Sequence, residues 1–363
     1  MSRYDKITSN VDWGLISTLV AIMVIGLLSI YSAVRMTQIS IFFKQLLWIF
    51  AGTLMMIIVF VVDYRVHMRA VWPFYGFMVV LLLLVLVIGR DISGAKRWIS
   101  LGFISLQPSE LAKIITIIWL AYWGEKKEQS EGYGLRELMI PAFFVLIPVG
   151  LILVEPDLGT AGIVSMISVI MLLLLGVNRN TFLGLSALFV SALPFAWISL
   201  KDYQRGRILT FLDPSRDPLG SGYHATQSKI AVGSGGLWGK GFLQGTQTQL
   251  SFLPEHHTDF IFSVVAEEWG FAGTALLILL YIILVTKIIQ IGFRAKDRFG
   301  ALLCFGISGY FILHIFINIS MAIGIFPVVG VPLPFVSYGG SFMFINLICI
   351  GLVLNVNWRR FIF

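Results

Sequence analysis

Stretches of roughly 20 apolar residues recur along this chain from Trp13 to Val356, and no soluble globular fold absorbs so many of them. Each is long enough to cross a bilayer as a helix, the form in which backbone N–H and C=O groups pair within their own segment. The pattern predicts about ten spans. They cover Trp13–Val34, Ile41–Val62, Met68–Gly89, Ser109–Trp123 and Leu138–Val154, then Thr160–Gly176, Thr181–Leu200, Asp259–Ile291, Gly300–Ile323 and Tyr338–Val356. Hydrophobic residues make up 58% of the chain and charged residues 12%, about half the charged fraction of a soluble domain.

The net charge of +7 would suggest nucleic acid in a soluble protein; here it follows from basic residues that flank spans and meet lipid headgroups, and no nucleic-acid partner is expected. Arg65, Arg69, Lys126, Lys127, Arg136, Arg179, Lys287, Arg294, Lys296, Arg298, Arg359 and Arg360 fall on one side, with Arg3 and Lys6. The short loops of the other side hold only Arg35, Arg90, Lys96 and Arg97. The bias places both termini in the cytoplasm. The expected fold is therefore an all-α polytopic membrane protein of about ten transmembrane helices, with a long extracytoplasmic loop (about 201–258) between helices 7 and 8. Met1–Asp12 is polar and the first apolar run is of spanning length, so no cleavable signal peptide is expected. Cys304 and Cys349 lie inside apolar segments and read as packing residues.

Chemistry gathers on the outer side. Glu255, His256, His257 and Asp259 stand directly before the eighth apolar segment, and a carboxylate at the mouth of a membrane helix needs a partner, a cavity or a reaction. Three readings compete: a helix cap made by Thr258 or Asp259; a divalent metal held by His256, His257 and Asp259; and a general base facing an outer cavity. Adjacent histidines do not point the same way on a regular element, which weakens the metal. Capping leaves two histidines and a second acid without a purpose, which favours the base. From Asp259 to Lys287 a continuous helix would run about 42 Å, against about 30 Å of hydrocarbon, so Asp259 belongs to the outer half unless a break at Gly270 or Gly273 draws it lower.

The long loop carries Gly233, Gly235, Gly236, Gly239, Gly241 and Gly245, with Lys229 and Lys240 among them. Glycines let backbone N–H groups approach an anion and lysines add charge, so the loop reads as an anion-binding element rather than a flexible tether. The fourth span opens with QPSELAK, in which Ser109 suits an N-cap and Glu110 and Lys113 share a face. That pair is either a local ion pair or a route for Lys113 to a phosphate. Ahead of it, GAKRWISLG places Arg97 and Trp98 outside; Trp98 suits the headgroup belt, and the Arg97 guanidinium matches a pyrophosphate. The EPDLGT turn (155–160) is a tight outward bend in which Asp157 can bond its own backbone. The segment from Pro327 through SYGGS (337–341) reads as re-entrant backbone.

Taken in order, GAKRWI (94–99), QPSELAK (107–113), EPDLGT (155–160), QSKIAVGSGGLWGKG (227–241), FLPEHHTDFIF (252–262) and PVVGVPLPFVSYGG (327–340) resemble the SEDS family (shape, elongation, division, sporulation) along most of the chain. The last two motifs are more similar to its elongation-type (RodA) branch than to its division-type (FtsW) branch. The resemblance implies a single membrane domain over 1–363 that polymerises peptidoglycan from lipid II for cell elongation and shape. It implies that Asp259, the acid of the HTDF motif, is the catalytic carboxylate, and that Trp98 and the outer basic residues matter for function. It also implies a class B penicillin-binding protein, a transpeptidase, as partner.

Together these readings give one scheme. Asp259 deprotonates the acceptor sugar 4-hydroxyl, which attacks the anomeric carbon of the lipid-linked donor with inversion, and undecaprenyl pyrophosphate leaves. Arg97, Lys113, Arg205, Arg207, Lys229 and Lys240 are the candidates to stabilise the departing charge. Trp98, Glu110, Glu255 and His257 complete the expected substrate-binding set. A divalent cation could assist as cofactor, although no secure ligand set is visible. The alternatives are a lipid II flippase, which would need polar residues near the midplane, a division-type polymerase, and a scaffold that only recruits the transpeptidase.

Overall fold

The structure is a computed structural model that describes residues 11–36, 38–92, 95–101, 104–127, 132–218, 220–250, 252 and 256–360. Each of the ten expected spans is a helix. Four precede the outer basic loop or follow it directly: α1 (Trp13–Val34), α2 (Ser40–Val61), α4 (Val71–Ile88, after the short α3, Tyr64–Arg69) and α5 (Pro108–Lys126). Then come α6 (Leu135–Val154), α7 (Leu158–Leu175) and α8 (Arg179–Ser199). Three close the chain: α12 (Ile261–Phe293), α13 (Arg298–Ala322) and α14 (Gly340–Arg359). Eight of these are long and apolar enough among the described residues to cross a membrane on their own; α5 and α8 are the other two. The exception at α5 has a physical cause. Nearly every residue of α5 is buried against other helices, Glu110 and Lys113 included, so it meets protein rather than lipid and tolerates charge.

The centre of the bundle is α13 and α14, buried over 72% and 83% of their apolar windows against 17% for α2. Close approach depends on small residues: a Cβ on Gly351 would come 2.7 Å from the Met56 carbonyl of α2, and one on Gly306 2.6 Å from Ile117 of α5. Cys304 and Cys349 are unpaired and buried in this core, as their apolar settings predict.

At one end of the bundle, short polar links tie the helices together. Asp12 caps α1 through Leu15 N (2.9 Å) and meets Lys287 Nζ at 2.9 Å. Asp297 caps α13, accepts from Tyr64 Oη at 2.6 Å and pairs with Arg65 at 3.4 Å. Arg359 meets Asp63 at 3.2 Å. The residues that tie this end are among the basic ones the sequence assigns to a single side.

The opposite end is more ordered than expected. Three short strands, β1 (Arg90–Ile92), β2 (Ala95–Leu101) and β3 (Ile104–Leu106), pair antiparallel in the order β1-β2-β3, with Ile99 opposite Leu106. Between α8 and α12 the chain folds into α9 (Asp202–Leu212), a 3-10 turn (Pro214–Arg216), α10 (Ser221–Ser234) and α11 (Thr246–Gln249). Ser228 of α10 is locked down by Ser263 Oγ (2.7 Å) and the Ala322 carbonyl (2.6 Å).

The eighth span is not one rod. Helix α12 starts at Ile261 and is interrupted at Gly270, where φ is 65° and ψ −160°, a conformation open to glycine alone. From Gly270 to Lys287 is about 26 Å, close to a hydrocarbon thickness, so the break lies about one hydrocarbon thickness from the end of the bundle where Lys287 meets Asp12. The glycine run fills it. Lys240 N and Gly241 N donate to Glu267 O and Glu268 O (both 3.0 Å), while Phe271 N and Ala272 N donate to Gly236 O (2.9 Å) and Leu237 O (3.0 Å). A Cβ on Gly235 or Gly239 would strike the backbone of Ala266 or Glu268. These glycines serve a backbone–backbone joint rather than an anion cradle, and the freed hydrogen bonds of the broken helix are satisfied by it.

Candidate active site

Asp259 lies in the turn 256–260 immediately before α12, half-buried, and not on the helix itself. The turn is held by its own carbonyls. His257 O accepts from Tyr338 N (2.9 Å), Thr258 O from Ser337 Oγ (2.6 Å) and Asp259 O from Asn318 Nδ2 (2.8 Å). Three consecutive acceptors are thus taken by donors from the segment before α14 and from α13. His256 Nε2 contacts Ala33 O at 3.0 Å, and the His257 ring packs beside Tyr338 with centroids 5.8 Å apart. Both histidines hold the turn in place. Among the described residues no three His, Cys, Asp or Glu side chains gather as a metal site.

The segment Pro327–Ser337 is non-helical, as its prolines and glycines predict, half-buried over 327–329, exposed at Gly330 and packed largely inside protein from Val331 onward. Ser337 Oγ also accepts from Leu333 N (2.8 Å), and Tyr281 Oη donates to Pro334 O (2.6 Å). Gly330, at φ 75°, comes so near the catalytic candidate that a Cβ there would sit 3.3 Å from Asp259 Oδ2. The residues just before it, Phe326, Pro327 and Val329, wall a cavity of about 180 Å³ shared with Arg97, Asp157, Gln204 and Arg207. A narrower cleft on the same segment is lined by Arg207, Lys229 and Val328.

Arg97 is anchored rather than loose. Its guanidinium donates to Glu155 O (3.4 Å) and to Pro156 O, and lies 4.0 Å from Asp157 Oδ2. Asp157 does bond its own backbone, capping α7 through Thr160 N (3.1 Å), and it also accepts from Gln107 Nε2 (3.3 Å). Beside them Glu155 is 1% exposed, and neither of its carboxyl oxygens finds a hydrogen-bond partner among the described residues. Burial, reinforced by the neighbouring Asp157 charge and opposed by Arg97, pushes its carboxyl up to about 8.

The expected set therefore divides. Arg97, Arg207 and Lys229 line the cavity and cleft. Trp98 sits half-buried in β2, paired in register with Arg90. Arg205 instead caps the end of α8, donating to Trp197 O (3.1 Å) and Ile198 O. Lys240 pairs at 2.7 Å with Glu267, which is fully buried and accepts also from Gln247 N (2.9 Å) and Thr248 Oγ1 (3.2 Å). Lys113 is 1% exposed, 2.7 Å from Glu110 and 3.2 Å from His314 Nε2, so the structure does not bring it to the cavity that Arg97 and Arg207 line. Ser109 is not the cap of α5; Gln107 holds that position and Pro108 begins the helix. Glu255 lies outside the described residues.

Sequence reasoning passed over Asn318. It is fully buried on α13, one turn beyond His314, and its signal was two strongly polar residues four apart on one face of a mostly apolar helix.

Comparison with known proteins extends along the whole chain. The family described as FTSW_RODA_SPOVE, cell cycle protein, matches residues 10–360. The peptidoglycan glycosyltransferase MrdB of Escherichia coli (strain K12) is 39% identical over 361 residues, spanning 98% of this chain and 95% of MrdB. The peptidoglycan glycosyltransferase RodA of Treponema pallidum (strain Nichols) is 33% identical, spanning 97% of this chain and 98% of that one. A solved structure reported as the structural coordination of polymerization and crosslinking by a peptidoglycan synthase complex contains a chain with TM-score 0.85 and 33% identity, over 97% of this chain and 99% of that one.

Proposed function

The chain belongs to the FtsW/RodA/SpoVE (SEDS) family, and from that premise we propose that Asp259 is the general base of its glycosyl transfer. It is a peptidoglycan glycosyltransferase of the RodA-like kind, in a multi-pass bacterial membrane protein. Its substrate is lipid II, and its product a glycan strand for cell elongation.

The acceptor 4-hydroxyl is a poor nucleophile until its proton is taken by a base within about 3 Å. Asp259 takes it, the oxygen attacks the anomeric carbon with inversion, and the bond to undecaprenyl pyrophosphate breaks. The leaving group departs as an anion, so cations placed where its charge develops replace a general acid. Arg97, Arg207 and Lys229 are that set, because they line the cavity and cleft walled by residues 326–329, directly before Gly330, which faces the Asp259 carboxylate. That juxtaposition across residues 326–330 is the observation that carries the reading. Arg205, Lys113 and Lys240 act at one remove, through helix ends and ion pairs.

The site faces outward from the bacterial inner membrane and both termini face the cytoplasm, a reading that the basic residues of the opposite end support. The partner is a class B penicillin-binding transpeptidase that crosslinks the strand. Purified protein given lipid II tests the assignment: Asp259→Asn should fold normally and lose polymerisation by about 10²–10⁴-fold. Arg97→Ala and Arg207→Ala should each weaken turnover while leaving the base in place. Long glycan made by Asp259→Asn would remove the base from Asp259.

A further inference from the structure

The side-chain amide of Asn318 joins two separate segments through one NH2 group. Its Nδ2 donates to Asp259 O at 2.8 Å and to Val331 O at 2.7 Å. Val331 follows Gly330, the residue whose backbone faces the Asp259 carboxylate. One NH2 group therefore fixes the base and the wall opposite it at a common distance. Asparagine is suited to this because it offers two N–H donors on a short stem, and Asn318 is fully buried, so water does not compete. One turn earlier, His314 Nδ1 meets Pro332 O at 3.3 Å, and its Nε2 meets the ammonium of the buried Lys113. The face of α13 that carries Asn318 is thereby braced against α5.

We infer that Asn318 is a positioning residue for Asp259, setting the height of the base against the Gly330–Val331 wall without touching substrate. The inference rests on Asp259 being the base. Its force comes from geometry: a shift of about 1 Å in a reacting group costs on the order of 100-fold in rate even when the change lies away from the chemistry.

The structure supplies an internal control. Asn355 on α14 makes a comparable clamp at the other end of the bundle, its Nδ2 donating to Val59 O and Phe60 O, both at 2.8 Å, and to Val62 O, while its Oδ1 accepts from Tyr64 N at 3.2 Å. Asn318→Ala and Asn355→Ala each delete a buried amide that bridges backbone carbonyls, two for Asn318 and three for Asn355, but only the first holds the base.

The test is steady-state polymerisation of lipid II by full-length purified variants, with thermal midpoints measured alongside. Asn318→Ala should lower kcat by about 10–100-fold with KM within about twofold of wild type. Asn355→Ala should lower the midpoint and leave kcat per folded molecule within about twofold. Equal kcat in Asn318→Ala and wild type, or losses in both variants that only follow the folded fraction, would overturn the inference. If Asn318→Ala does not fold, Asn318→Ser and Ser337→Ala read the same split, since Ser337 holds the adjacent carbonyl; unchanged kcat in both overturns it. An inactive Asp259→Asn beside a fully active Asn318→Ala defeats the positioning role alone, whereas an active Asp259→Asn defeats the base assignment.

Discussion

Glu155 and Asp259 are both carboxylates at the end of the bundle that carries the cavity, and their surroundings set them apart. Asp259 stands half-buried beside a wall of backbone, while Glu155 is enclosed, and the structure raises its carboxyl to about 8. In the unfolded chain that group titrates near 4.5. Between those values the folded protein holds a proton that the unfolded one has lost. Its contribution is therefore complete at low pH, declines as pH rises through that window, and is gone above it. Glu155→Gln should flatten the fall in thermal midpoint between about pH 5 and 8 and raise the midpoint at pH 8 by about 2–4 °C. An unaltered slope in a melting series would mean the carboxyl is already ionised. At this scale the sequence reads well where a residue is out of place. Asp259 shows as an acid at a helix mouth, and Glu110 with Lys113 shows as a spacing. It reads poorly where the partner is remote: nothing near Lys113 announces His314, and nothing near Asp259 announces Asn318.

A membrane helix that stops at Gly270 and resumes needs other backbone to finish its hydrogen bonds, and the glycine run supplies it. Gly270→Ala would force a side chain into a backbone region reserved for glycine and against the Gly239 amide. It should destabilise the protein by roughly 2 kcal/mol or more, seen as a lower thermal midpoint in detergent. Gly330→Ala is a gentler probe. Its Cβ would press on the Asp259 carboxylate at 3.3 Å, so turnover should fall about tenfold with a smaller stability change. Helix positions were legible to within a few residues because spanning length is a strong constraint. The joint was not, since a glycine-rich loop looks the same whether it approaches an anion or another backbone. The small sheet at 90–106 escaped notice too: its strands are three to seven residues long, beneath the signal of the apolar runs around them.

Across the whole molecule the two ends divide their labour. One is stapled by Asp12–Lys287, Arg65–Asp297 and Arg359–Asp63; the other carries the cavity and Asp259. Single cysteines test which end faces out, because Cys304 and Cys349 are buried and should stay silent. Thr226→Cys on α10 should react with an impermeant maleimide in intact cells, and Arg294→Cys only after permeabilisation; the reverse pattern would invert the orientation. Between the ends, Glu110, Lys113, His314, Tyr310 and Asn346 form the buried polar core that a lipid carrier would want near its middle. Here Lys113 and Glu110 neutralise each other, and the cation cavity lies at one end, which suits a polymerase. Proteoliposomes loaded with lipid II decide the matter when wild type and Asp259→Asn are compared for both glycan formation and lipid scrambling. Wild type should make glycan strands and Asp259→Asn none at equal folded protein. Strands of normal length from Asp259→Asn, or scrambling without any polymer from wild type, would contradict that expectation.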